Sequence, residues 1–196
     1  MTRAELVVLL DSDGAATGTL DKSLVHHADT PLHLAFSCYV FDTDNRLLLS
    51  QRALSKSTFP GLWTNSVCGH PGPDESVTAA AMRRCRDELG LELTKPRVIL
   101  PTFAYRAEMN GLIENEMCPV LMAVVERGAA LAPDPTEVED TRWLPWADVV
   151  CDAKSGDLAL SPWCLMQIDL LSELGADPTA WPTGSGQLLP AALRVA

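Results

Sequence analysis

Gly69, Pro71, Gly72 and Pro73 crowd together, so the chain between them is neither helix nor strand. Directly beyond, Ser76 or Asp74 offers a side-chain oxygen to cap a run of helix formers from Val77 to Leu89, and Gly90 ends that run. The helical period then sorts the residues into faces. Val77, Ala81, Cys85 and Leu89 form a stripe that buries, while Arg84 and Glu88, four apart, share a charged face. Cys68 and His70 stand at the entrance to the loop, so a thiol, an imidazole and a helical carboxylate come near one another.

The rest of the chain supplies a sheet for this joint to rest on. Strands are expected at Glu5 to Leu10, Leu34 to Phe41, Leu47 to Arg52, Val98 to Arg106, Ile113 to Glu126 and Thr141 to Pro145. Leu20 to His27 reads as a short helix or loop, Trp146 to Asp152 as a short helix, and Pro162 to Leu174 as a better one with proline in its first turn. The expected class is α/β (α+β), a mixed β-sheet with helices on its faces, in a single domain over residues 1–174. Residues 175–196 are rich in Ala, Pro, Gly and Thr and read as a loosely docked tail, with Trp181, Leu188 and Leu189 available to dock.

Composition excludes several classes of function. The net charge of −11 disfavours nucleic acid or an anionic membrane as partner. The longest apolar run, Pro119 to Val125, falls well short of the roughly 20 residues of a membrane span, and the N-terminus lacks the layout of a secretory signal. None of the 6 cysteines shows C-x-x-C spacing, so reduced thiols in the cytoplasm are the simplest reading.

Three of the 4 histidines, His26, His33 and His70, combine with Glu114 and Glu116, which lie on one side of a strand by the period of two. Three imidazoles and two carboxylates suit a transition-metal or zinc ion better than magnesium, although scattered histidines are usually surface or core residues. Read alone, Glu88 and Arg84 are a surface pair worth a few tenths of a kcal/mol. Cys68 is either a small buried hydrophobe or, beside Gly69 and His70, a thiol whose surroundings could stabilise the thiolate.

The spacing Gly69, five residues, Glu75, seven residues, Arg83, followed by Glu88-Leu89-Gly90-Leu91, resembles the Nudix box. Where that pattern carries metal-binding glutamates, this chain has Arg84 and Asp87, which argues against diphosphate hydrolysis of the usual kind. Arg52-Ala53-Leu54-Ser55-Lys56, the run Pro60 to Pro71, Tyr105-Arg106-Ala107, Glu114-Asn115-Glu116 and Ser161-Pro162-Trp163 together look like the type 1 isopentenyl diphosphate:dimethylallyl diphosphate isomerases. The resemblance extends from about Leu6 to Leu171.

That resemblance implies a Nudix-like fold and a 1,3-proton shift through a carbocation. His26, His33, His70, Glu114 and Glu116 would hold one divalent ion, Mn2+ or Zn2+. Glu88 and the Cys68 carbonyl would hold Mg2+ with the substrate diphosphate, which Lys22, Arg52, Lys56 and Arg84 would neutralise. Cys68 and Glu116 would be the opposed acid/base pair, Tyr105 an aid to Glu116, and Trp163 the face that meets the carbocation. Trp163 could alternatively be only an anchor for the last helix. The expected partner is a small isoprenoid diphosphate, and the expected state a monomer or weak homodimer. The rival readings are a Nudix hydrolase, which Arg84 opposes, and a catalytically silent binding module, which the presence of all four acid/base and aromatic residues opposes.

Overall fold

The computed structural model describes residues 5–194. Strands β1 (Leu6–Leu10) and β2 (Ala16–Asp21) form a hairpin that leads through the short helix α1 (Lys22–Val25) into β3 (His33–Leu34). There follow β4 (Phe36–Asp42), β5 (Arg46–Arg52), β6 (Trp63–Thr64) and β7 (Val67–Gly69), then helix α2 (Val77–Leu89). Strands β8 (Arg97–Leu100), β9 (Ala104–Met109), β10 (Leu112–Met117), β11 (Val120–Val125) and β12 (Val138–Pro145) precede helices α3 (Trp146–Ser155) and α4 (Pro162–Ser172).

These strands form two mixed sheets where the sequence suggested one. The first runs β2-β1-β3-β10-β9; the second runs β12-β5-β4-β11-β8, with β6 on β5 and β7 on β4. The stretch expected as one strand from Val98 to Arg106 is divided at Pro101, and that from Ile113 to Glu126 at Cys118-Pro119. A proline lacks the N–H a ladder needs, so each break lets the chain leave one sheet for the other. β3 and β4 make the same crossing beside it, and the pairs β3·β10 and β4·β11 are parallel. The hairpin strand β2 was not anticipated, because Ala16 to Gly18 offers no alternation of apolar and polar residues.

All of β4 is buried, as expected of a central strand covered on both faces. Phe36, Cys38 and Val40 pack with Ala81, Cys85 and Leu89 of α2, while Tyr39 and Phe41 pack with Trp146, Trp163 and Ile168 from α3 and α4. Helix α2 has the boundaries its punctuation demands: the Ser76 hydroxyl accepts from the Ala79 N–H at 3.2 Å, and Gly90 closes the helix at φ 64.

The segment after Gly175 is packed rather than loose. Trp181 is 3% exposed, stacks edge-on against Phe41 and Trp146, and receives two-sided support from Arg97, whose guanidinium donates to the carbonyls of Trp181 and Pro178. Leu189 and Leu193 join the cluster beneath α2, and the Ala192 N–H donates to the Gly14 carbonyl at 2.8 Å. Among the described residues no helix is long and apolar enough to cross a membrane.

Candidate active site

A cavity of about 420 Å³ is lined from both sheets. β9 and β10 contribute Tyr105, Glu114 and Glu116; β4, β5 and β7 contribute Ser37, Arg52 and Cys68; α2 adds Arg84 and Glu88, and α4 adds Trp163. Backbone register explains the first group: Glu116 is paired with His33 across β3 and with Tyr105 across β9. Paired residues share a sheet face, so the carboxylate, imidazole and phenol converge. The loop after β7 is brought against α2 at Gly69, where a Cβ would lie 3.0 Å from Arg84 Cγ. Glu75 fastens the far side of this loop, accepting two bonds from Arg83 and one from the Gly72 N–H, while Arg83 also donates to the His70 carbonyl.

At one end of the cavity the ligating atoms of His26, His33, His70 and Glu116 all lie within 4.8 Å of one another. His33 Nδ1 is 2.9 Å from the Pro31 carbonyl, which can only accept, so Nδ1 carries a proton and in the neutral ring Nε2 offers its lone pair. That lone pair faces Glu116 Oε1 at 3.3 Å without hydrogen-bond geometry, and His26 Nε2 is likewise buried with no partner. Two acceptors held face to face are stabilised by a cation between them, so this donor set fits a divalent ion. Burial, reinforced by the neighbouring His70, pushes the His26 imidazole down to about 4, and burial also lowers His70, favouring the neutral ligand form. Burial opposes ionisation of Glu116, but the neighbouring His33 and His70 outweigh this and hold the carboxyl well below its usual range, while Glu116 in turn raises the His33 imidazole against its own burial.

Glu114 lies outside this group of four. Its Oε2 accepts the Tyr105 hydroxyl at 2.6 Å, so the phenol expected to assist Glu116 spends its proton on Glu114 instead. Burial and the adjacent Glu116 both raise the Glu114 carboxyl.

The other end holds the expected cations, and most are already matched. Lys22 pairs with Glu5 at 2.9 Å, Lys56 with Glu137, and Arg84 with Glu88, Glu137 at 3.4 Å and Glu5 at 3.8 Å. Arg52 instead donates to the Thr58 and Phe59 carbonyls, which pins the loop between β5 and β6, and its guanidinium carbon lies 5.4 Å from the Trp163 ring centroid. Burial raises the Glu88 carboxyl, with Arg84 acting against it. Glu5 and Glu137 escaped the sequence reading, since neither belongs to a motif and only the fold brings them to Lys22, Lys56 and Arg84.

Cys68 Sγ donates to Asn65 Oδ1 at 3.1 Å. Burial pushes the thiol up to about 11 despite Ser37, Asn65 and Arg52, so these side chains by themselves favour the protonated sulfur. Trp163 is 2% exposed and contacts Phe59 and Tyr105 edge-on and tilted, so it anchors α4 and lines the cavity at once.

Residues 31–164 match the NUDIX domain model. The fold agrees with it: DR0079 from Deinococcus radiodurans superimposes with a TM-score of 0.65 at 16% identity, covering 85% of this chain and 98% of that one. A Nudix hydrolase from M. smegmatis, RenU, gives 0.56 at 18% identity, with 91% and 98% covered. The fold is thus of the Nudix class. Within that class, the isopentenyl-diphosphate Delta-isomerase of Saccharopolyspora erythraea is 48% identical over 193 residues, covering 98% of each chain. Enzymes of the same name from Rhizobium rhizogenes and Escherichia coli are 47% and 49% identical, over 97% and 84% of this chain and 91% and 90% of their own. The chain belongs to the isopentenyl-diphosphate Delta-isomerase family.

Proposed function

We propose that this cavity interconverts isopentenyl and dimethylallyl diphosphate, with Cys68 and Glu116 exchanging protons with the substrate. The observation that carries the reading is one cavity lined by an acid/base pair, an aromatic face and a cluster of cations, where carbon chemistry beside a diphosphate needs all three. An unactivated alkene is a weak base, so its protonation requires a positioned acid and a way to stabilise the tertiary carbocation. The pair reacts in the form that has its one proton on Glu116 rather than on Cys68. Glu116 gives that proton to the terminal carbon and is left as the carboxylate, while Cys68, as the thiolate, takes one from the methylene between the branched carbon and the carbon that bears the diphosphate and is left as the thiol.

Trp163 faces the cation between these steps, a contribution of up to about 2 kcal/mol when desolvated. Lys22, Arg52, Lys56 and Arg84 bind the diphosphate, and burial of the reacting carbons keeps water from quenching the cation. Arg84, standing where Nudix hydrolases keep a carboxylate, lets the site hold a diphosphate without cleaving it.

The metals and surroundings belong to the same proposal. His26, His33, His70 and Glu116, with Glu114 beside them, would hold Mn2+ or Zn2+; Glu88 and the Cys68 carbonyl would hold Mg2+ with the substrate. Bound there, these ions supply charge neutralisation and Lewis acidity. Six free cysteines support a reducing compartment, the cytoplasm, and the net charge of −11 speaks against nucleic acid and membrane as partners. A monomer or weak homodimer is expected, which size-exclusion chromatography with light scattering tests. For the reaction itself, isopentenyl diphosphate and Mg2+ in deuterated water should yield deuterium-labelled dimethylallyl diphosphate. Release of phosphate or pyrophosphate without labelled product would overturn the reading in favour of a hydrolase.

A further inference from the structure

Beneath Cys68 lies a group of buried polar side chains with no part in the chemistry described so far: Ser37, Tyr39, Asn65 and Gln167 are each at most 1% exposed. A buried polar group is costly unless bonded, so the partners fix each orientation. Asn65 Nδ2 donates to the carbonyls of Cys38 at 3.1 Å and Val67 at 2.9 Å. Carbonyl oxygens only accept, so Asn65 Oδ1 is turned to the Cys68 thiol and the Thr64 hydroxyl.

Ser37 approaches the same sulfur from β4. It is paired with Cys68 in the β4·β7 register, which puts both side chains on one sheet face. Ser37 Oγ lies 3.5 Å from Cys68 Sγ and 3.5 Å from Cys118 Sγ. Gln167 Nε2 donates to that oxygen at 3.0 Å, and the Tyr39 hydroxyl fixes the amide by donating to Gln167 Oε1 at 3.0 Å. With Gln167 as donor, the hydroxyl proton of Ser37 is left for one of two sulfur atoms.

We propose that Ser37, oriented by Gln167 and Tyr39, is a positioning residue for the Cys68 sulfur, donating to it during proton exchange with substrate and turning to Cys118 when Cys68 holds its proton against Asn65. The inference rests on the reading of Cys68 as a proton-transfer group. In the forward direction the electron pair of the substrate C–H bond becomes the new π bond, and the proton goes to the Cys68 thiolate, which becomes the thiol. Ser37 keeps its own proton throughout. What it supplies is a second fixed direction for a sulfur that Asn65 alone would leave free to swing.

The test is steady-state kinetics of Ser37→Ala with Mg2+ and isopentenyl diphosphate, unlabelled and deuterated at the methylene that loses its proton, with circular dichroism as a check on folding. Loss of a hydrogen bond to the charged thiolate corresponds to a loss of about 10- to 100-fold in kcat. KM should stay within about twofold, since the diphosphate contacts are untouched, and the isotope effect on kcat from deuterium at the substrate methylene should rise as transfer to sulfur becomes slower. Gln167→Met, which keeps the shape but removes the donor, should lower kcat in the same direction and carries the test if Ser37→Ala fails to fold. Full kcat, or a raised KM with an unchanged isotope effect, would overturn the proposal. Cys68→Ala separates the two levels: an active Cys68→Ala enzyme sinks the role of the thiol itself, whereas an inactive one beside a fully active Ser37→Ala enzyme sinks only the positioning role.

Discussion

At the imidazole end of the cavity, His26 Nε2 and His33 Nε2 are buried without hydrogen-bond partners, whereas at the other end Lys22, Lys56 and Arg84 are each paired with a carboxylate. The two ends therefore gain by opposite events. The imidazole end is stabilised by taking a cation, because lone pairs already held against one another lose their repulsion. On the proposed function the cationic end binds by exchange: a diphosphate would displace Glu5 and Glu137 from cations they now neutralise. In a chain of net charge −11 this exchange keeps the cations placed without leaving them unpaired under low exposure.

The largest expected effect joins the two ends. Glu116→Gln removes a ligand of the imidazole cluster and the proposed acid together, and should reduce turnover by about 10²- to 10⁴-fold; retained deuterium exchange from solvent would remove Glu116 as the acid. His33→Ala probes the imidazole end alone. It should leave the protein with less bound transition metal or zinc by elemental analysis, and unchanged stoichiometry would exclude His33 from the ligand set.

Reversing a charge at the cationic end, Arg84→Glu, should raise KM for isopentenyl diphosphate by about tenfold or more. Unchanged affinity would remove Arg84 from diphosphate binding. Glu137→Gln sharpens the idea of exchange, because freeing Lys56 and Arg84 from a competing carboxylate should lower KM by about two- to fivefold. A raised KM would instead make Glu137 a support for the cations.

The smallest effect concerns the clip behind His70. Hydrogen bonds from Arg83 hold the Glu75 carboxyl below its usual range despite partial burial, so the folded pKa lies beneath the unfolded one. The stability it contributes is complete above the unfolded pKa and is lost as the pH falls through the folded pKa. Glu75→Gln should thus lower the melting temperature at neutral pH, by the equivalent of about 1 kcal/mol, and should converge with the parent protein in strong acid. A constant difference across that pH range would show that charge is not what the clip uses.

Much of this was legible before any coordinates. The cap at Ser76, the stop at Gly90 and the buried stripe Val77, Ala81, Cys85 and Leu89 lie where local chemistry puts them, because caps and periodicity act within a few residues. The resemblance carried the candidate site residues, and all of the named side chains except His33 line the one cavity, His33 standing behind it in the imidazole cluster. What failed were statements about long-range partners. Two long strands were expected where prolines divide four between two sheets, and the tail reads as loose although Trp181 packs edge-on against both Phe41 and Trp146.

The sequence by itself determined the loop-to-helix joint, the supply of imidazoles, carboxylates and cations, and membership of a Nudix family of isomerases. Only the tertiary structure decided which of these are satisfied. Glu114 takes the Tyr105 proton, Glu5 and Glu137 neutralise the binding cations, and Asn65 and Ser37 close around the Cys68 sulfur. The physical reason is that caps and helix faces are set by neighbours in the chain, whereas burial and pairing of polar groups depend on strands far apart in sequence. Ser37 and Cys68, 31 residues apart, meet only because β4 and β7 pair in one register.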